Sequence, residues 1–355
     1  MSARGHRRAA RAIALTLAAG LGVIVANHGD GWASAPVARS SDCSASFPHP
    51  GAWEKSPLRA ACDRVRVWKI RYVTHDGLER AAYVVLPLWY DTGDHPVPLV
   101  IAPHGRGVPA PATVRRWGRL PALGPFAVVV PDGQGRRLER YSWGYPGQIA
   151  DLARMPGIVE RALPWLRVDR RRIYAVGTSM GGQEALLLDG RYPHRLAGAV
   201  AFDAVADMAL RYRDFTSLRC GVRCRREWVR PLGQAMQALA RLEIGGTPET
   251  DARAYAVRSP LTYARTIAFS GVPVELWWSS ADRVVTEPTR QSERLFLKLK
   301  RLNPRAPVEG FAGIWAHASE TRAYLPIALA DLGLLPPRFD RKPSGLRFLP
   351  SRVWP

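Results

Sequence analysis

"AVGTSMGGQ", residues 175–183, brackets one serine with glycines, directly after the apolar run "RIYAVGTS" (172–179) and directly before the helix-forming "GGQEALLLDGRY" (181–192). Gly177-Thr178-Ser179-Met180-Gly181 is a G-x-S-x-G pattern at the junction of a predicted strand and a predicted helix. A chain that turns from strand to helix over so few residues brings backbone and side chains too close for a large Cβ substituent at the bracketing positions, which accounts for the glycines. The same bend lifts the Ser179 hydroxyl above the sheet edge. It also points the next backbone N–H, that of Met180, toward an oxyanion at the positive end of the helix.

Working outward, apolar and β-branched segments recur at 65–73, 81–88, 97–103, 126–132, 172–179, 196–203, 272–280 and 307–313. The first two alternate in polarity, as antiparallel strands do. The later ones are almost continuously apolar, as strands covered on both faces must be. Helical stretches such as 149–166, 181–192 and 288–302 fall between them, so the pattern predicts a mostly parallel central sheet with helices on both faces. From about 207 to 263 the rhythm breaks into helix-like patches without a buried strand, which reads as a helical, lid-like insertion over the carboxyl edge of the sheet. The expected division is a leader at 1–35, a Ser/Pro/Ala-rich linker at 36–60, one domain at 61–340 and a tail at 341–355.

Four stretches make the chain resemble the α/β-hydrolase fold, and within it the prolyl-oligopeptidase catalytic domains and the secreted esterases related to them. They are "PHGRG" (103–107), "GTSMGGQ" (177–183), "SPLTYA" (259–264) and "SSADRVV" (279–285), and the resemblance spans roughly residues 65 to 335. It implies a chain order of serine, acid, then histidine. Only His194 and His317 follow Ser179. His194 comes too early to leave room for an acid on a later strand end, so His317, in the loop after the last expected strand, is the candidate base. Asp282 follows the penultimate strand and precedes Val284-Val285 as in the family, which makes it the candidate acid; Asp203, ending "AVAFD", is the alternative. Where relatives usually carry His-Gly before the acid's loop, this chain has Trp278-Ser279. By the same resemblance Arg106 contributes the second oxyanion N–H and His104 is structural. Trp143, Trp277, Trp278 and Trp315 lie near the expected active-site loops, where they would either line an apolar pocket or belong to the core.

Composition narrows the remaining classes. With 355 residues, 47% hydrophobic and 23% charged, the chain has the balance of a packed globular protein. The net charge of +21 comes almost wholly from arginine, since Lys55, Lys69, Lys298, Lys300 and Lys342 are the only lysines. Those arginines are scattered rather than interleaved with aromatics, which argues against a nucleic-acid groove and for weak association with an anionic cell envelope. Arg4, Arg7, Arg8 and Arg11, the apolar run 12–26 and Ala33-Ser34-Ala35 form a secretory signal, with an uncleaved N-terminal anchor as the alternative. Four cysteines suit that compartment: Cys43 with Cys62, and Cys220 with Cys224, is the sequence-local pairing among three possible connectivities.

The expectation from these readings is a secreted serine hydrolase that cleaves carboxylic esters through an acyl-enzyme, needing no metal or cofactor. A prolyl-oligopeptidase-type peptidase is the alternative, because ester and amide hydrolysis share the machinery. A non-catalytic envelope protein on the same fold is the alternative of another class.

Overall fold

The computed structural model describes residues 64–90, 95–133, 135–217, 232–285 and 290–349, all within the unit Val37–Pro355. The leader, the 36–60 linker and all four cysteines lie outside the described residues, and with them the expected disulfides. No helix among the described residues is long and apolar enough to cross a membrane.

In chain order the elements are β1 (Val65–Val73), β2 (Glu79–Pro87), β3 (Val97–Ile101), α1 (Ala110–Trp117), α2 (Leu120–Leu123), β4 (Ala127–Pro131), α3 (Pro146–Ala162) and β5 (Val168–Thr178). There follow α4 (Met180–Arg191), β6 (Gly198–Phe202), α5 (Met208–Asp214), α6 (Leu232–Ile244), α7 (Ala252–Ala256), α8 (Ala264–Phe269) and β7 (Val274–Ser279). The last are α9 (Ser292–Leu302), β8 (Val308–Gly313), α10 (Thr321–Asp331) and β9 (Arg347–Leu349). The sheet runs β1-β2-β4-β3-β5-β6-β7-β8-β9. From β4 to β8 all neighbours are parallel, while β1, β2 and β9 join antiparallel at the two edges.

The side-chain period of two divides each central strand between two cores. Leu99, Ala175, Ala199 and Leu276 face one side, against Ile149, Leu186, Ile267 and Leu295 of α3, α4, α8 and α9. Val100, Val176, Val200 and Trp277 face the other, against Trp117, Leu123 and Leu329 of α1, α2 and α10. Strands covered this way must be apolar throughout, which is why Val128-Val129-Val130 carries no polar residue. One departure from the sequence reading stands out, and one of its alternatives is decided. Arg347–Leu349 pairs with β8, so the stretch taken as a tail closes the sheet with a ninth strand. Trp277 and Trp278 are core residues: Trp277 stacks on Phe311 at 4.0 Å and on Tyr324, and Trp278 packs near Phe296.

A third, smaller cluster sits over the carboxyl ends of β5, β6 and β7. Met180, Val205 and Val285 from the strand exits meet Met208, Tyr212 and Met236 from α5 and α6. Between β6 and β7 the described residues form helices and no strand.

Candidate active site

Ser179 stands between β5 and α4 at φ 59°, ψ −122°, a conformation in which Cβ crowds the backbone and which L-residues rarely adopt. The glycines beside it are required by space. A Cβ on Gly177 would lie 2.2 Å from the Gly181 carbonyl oxygen, and one on Gly181 would lie 2.2 Å from that of Pro103. Both glycines keep ordinary negative φ, so the positive φ of the bend falls on the serine itself. The Ser179 N–H is anchored by the Phe202 carbonyl at 2.8 Å, fixing the bend to the end of β6.

The contact with Pro103 also brings the loop after β3 against the start of α4. This junction carries the backbone N–H groups of Met180, which opens α4, and of Arg106, in the loop itself. The first turn of a helix leaves its N–H groups without intrahelical acceptors, and neither amide has an acceptor among the described residues. Gly107 at φ 70° donates to the Arg140 carbonyl at 2.8 Å and Val108 to that of Gly105 at 3.0 Å, which hold the loop in shape. His104 is buried with Nδ1 against the Gly105 carbonyl at 2.8 Å and Nε2 against that of Gly133 at 3.2 Å.

Asp282 follows β7 and His317 follows β8, on neighbouring parallel strands. His317 Nδ1 lies 2.7 Å from Asp282 Oδ2. The other carboxylate oxygen accepts the N–H groups of Val284 at 2.7 Å and Val285 at 2.9 Å. With all its capacity directed, and only 2% of the side chain exposed, Asp282 can present one oxygen to the ring and no other. That fixes Nδ1 as the nitrogen facing the acid and turns Nε2 away from it. Neither Ser179 Oγ nor His317 Nε2 has a hydrogen-bond partner among the described residues. The structure therefore joins Asp282 to His317 and sets Ser179 at the same ends of the strands, two strands from Asp282 and three from His317, without a formed bond to the ring.

Asp203 closes part of that distance. It ends β6, between the strands of Ser179 and Asp282, at φ 46°. Its carboxylate accepts the Trp315 indole N–H at 3.0 and 3.2 Å and the Ala318 N–H at 2.9 Å, gripping the histidine loop on both sides of residue 317. Burial raises its pKa, opposed by the charge of His317. Asp203, Asp282 and His317 place one ligand atom each within 4.8 Å of one another, a set of metal-ligand type. Their hydrogen bonds already engage both carboxylates, so the group fits the holding of an imidazole better than the holding of an ion.

Of the other residues read from the sequence, Trp315 serves Asp203 as described. Trp143, at φ 42°, donates its backbone N–H to Met180 Sδ at 3.3 Å and packs in the cluster above the strand ends. His194 is exposed in a 3₁₀ turn (Pro193–Arg195) before β6, at the opposite end of the strands. The supporting role of Asp203 was missed at that level, because an aspartate at a strand end carries no signal for which loop it will hold.

No family model matches the chain, and no curated protein matches it. Solved structures do. An acylaminoacyl peptidase of Pyrococcus horikoshii aligns at TM-score 0.54 and 17% identity, over 73% of this chain and 38% of that one. An esterase of Pyrococcus furiosus aligns at 0.51 and 18%, over 76% and 90%. A puromycin-hydrolyzing peptidase of Mycobacterium tuberculosis aligns at 0.57 and 20%, over 80% and 41%. The chain thus spans less than half the length of the two peptidases. With these likenesses and the sheet order above, it has the α/β-hydrolase fold.

Proposed function

We propose that this α/β-hydrolase-fold chain is a serine hydrolase that cleaves carboxylic esters by way of an acyl-enzyme on Ser179. The observation that carries the reading is the 2.7 Å contact of Asp282 with His317 on the sheet edge that also holds the strained Ser179. With Nδ1–H held by the acid, Nε2 is the ring's basic nitrogen. Drawn within hydrogen-bond reach of Oγ in the substrate complex, it takes the hydroxyl proton as oxygen attacks the scissile carbonyl. The tetrahedral oxyanion then rests on the amides of Met180 and Arg106, and losing one such donor typically costs about 3 kcal/mol of transition-state stabilisation. His317 returns the proton to the leaving group, and a water activated by the same nitrogen releases the acid.

The esterase reading draws support from coverage: the chain matches nearly the whole length of the Pyrococcus furiosus esterase and only part of each peptidase. Peptidase activity on short amides is the second reading. A fluorophosphonate probe that labels the wild type but not Ser179→Ala supports the hydrolase; failure to label folded wild type overturns it in favour of a non-catalytic envelope protein. Comparing 4-nitrophenyl esters with aminoacyl-prolyl amides separates the two substrate classes. We further propose export directed by residues 1–35, tested by N-terminal sequencing of protein recovered outside the cytoplasm.

A further inference from the structure

Two guanidinium groups packed on the cluster over the carboxyl ends of the central strands, those of Arg106 and Arg211, have no carboxylate partner among the described residues. Arg211, on α5, is 3% exposed. Its guanidinium lies over the Phe215 ring at 4.5 Å, and Nη1 has no acceptor. Arg106 is partly buried. Its Nη1 donates to Met236 Sδ at 2.8 Å, a weak acceptor, and its guanidinium lies 6.0 Å from the Tyr141 ring. Among the described residues neither arginine comes within ion-pair distance of an acid. The carboxylates whose charge reaches Arg211 are otherwise committed. Asp282 is bonded to His317 and two amides, and Asp214 stands 3.7 Å from Arg290. Burial foremost, then the nearby charge of Arg106, pulls Arg211 down to about 10.

Buried charge is costly to hold without a partner, and a guanidinium stays protonated at neutral pH, so it cannot escape that cost by neutralising. Here two cations lie against one apolar cluster, Arg211 on Phe215 and Arg106 on Met236, over the carboxyl ends of β5, β6 and β7. An anion brought by the substrate satisfies both. The unbonded Nη1 and the apolar surroundings suit a planar carboxylate, which a guanidinium meets in its own plane, better than a more strongly hydrated phosphate. We propose that Arg211, assisted by Arg106, binds a carboxylate carried by the substrate close to its scissile carbonyl, so that the preferred substrates are anionic esters. This rests on the serine-hydrolase reading of Ser179. The carboxylate belongs either to the acyl part or to the leaving group.

Both sources are tested with matched pairs. For the acyl part the pair is 4-nitrophenyl hemiglutarate and 4-nitrophenyl valerate; for the leaving group it is 4-valeryloxybenzoate and its methyl ester. At about 0.15 M salt, where long-range attraction is screened, one anionic member exceeds its neutral partner in kcat/KM by about tenfold or more, chiefly through KM. Arg211→Met brings that ratio to about one, whereas Arg265→Met, an exposed arginine on α8 over Phe269, leaves it as in wild type. Should Arg211→Met fail to fold, wild type alone decides: glutarate slows fluorophosphonate labelling of Ser179 and valeramide does not. Labelling without a preference in either pair, and without protection by glutarate, overturns the carboxylate site and leaves the hydrolase standing. A preference that survives in Arg211→Met overturns the assignment to that residue. No labelling of folded protein overturns both.

Discussion

A serine at φ near +60° pays for its position in backbone strain, of the order of 1–3 kcal/mol, and glycine at the same place would not. Ser179→Gly is therefore expected to be more stable than Ser179→Ala by about 1 kcal/mol, although both lose the nucleophile. Thermal denaturation of the pair checks this, and equal melting temperatures would show that the bend is not strained. The two aspartates of the site separate by the same logic. Asp282 faces the imidazole directly, and its conversion to Asn forces the wrong tautomer, so Asp282→Asn is expected to lower kcat by about 10⁴. Asp203 grips the loop through N–H groups that an amide oxygen can still accept in part, so Asp203→Asn is expected to lose only about tenfold. Reversal of that order would make Asp203 the acid. Ser179, Asp282 and His317 were legible as candidates because each lies at a strand end in a fixed chain order. Arg211 was not, because an arginine in an amphipathic helix reads as a solvated residue until tertiary packing closes over it.

Helix α6 is tied to the loop after β3 through one residue. Glu243 is fully buried and accepts the N–H groups of Arg136, Arg137 and Leu138, the last two at 2.7 and 2.8 Å, with Arg258 Nη2 at 3.8 Å. The same turn ends at Arg140, whose carbonyl receives the Gly107 N–H beside Arg106. Removing the carboxylate strands three amides and a buried guanidinium, so Glu243→Ala is expected to destabilise by about 3–5 kcal/mol and to lower kcat through Arg106. A stable variant with unchanged kcat would sever this link. Helix α4 contributes a pH dependence. Burial raises Asp189 to about 8, against the opposing hydrogen bond of Ser270. An acid with a raised folded pKa binds its proton more tightly folded than unfolded. Its contribution is complete below about pH 4 and is lost as pH rises toward 8, by at most about 1.4 kcal/mol per pH unit. Asp189→Asn should flatten that part of the pH profile of urea unfolding, and an unaltered slope would assign the dependence to other groups. Among the elements, β3 to β8 were readable because buried parallel strands leave an unbroken apolar run, and β1 and β2 because antiparallel strands near a sheet edge alternate. β9 was not, since "RFL" is too short for a period and is defined only by its register on β8.

At the scale of the whole molecule, the excess of arginine sets a long-range field rather than a binding site. The formal charge of +21 is spread over the sequence, and several surface arginines are already paired, as Arg71 is with Glu79, Arg213 with Glu249 and Arg294 with Asp207. Exposed pairs of this kind contribute little to stability, and they leave the net charge unchanged. A diffuse field of this sort attracts any anionic surface weakly and without geometry, and it fades as the Debye length shrinks from about 10 Å at 0.1 M salt to about 3 Å at 1 M. Cosedimentation with vesicles containing phosphatidylglycerol is therefore expected at low ionic strength, and it should disappear by about 1 M NaCl and with neutral phosphatidylcholine. The carboxylate preference assigned to Arg211 should behave differently, because a buried pair is screened far less than a surface field. If vesicle binding persists at high salt, an apolar contact and not the arginine excess is holding the protein to the bilayer. If instead the carboxylate preference and vesicle binding fall together along the same salt curve, the two are one field effect, and the anionic substrate pocket loses its basis.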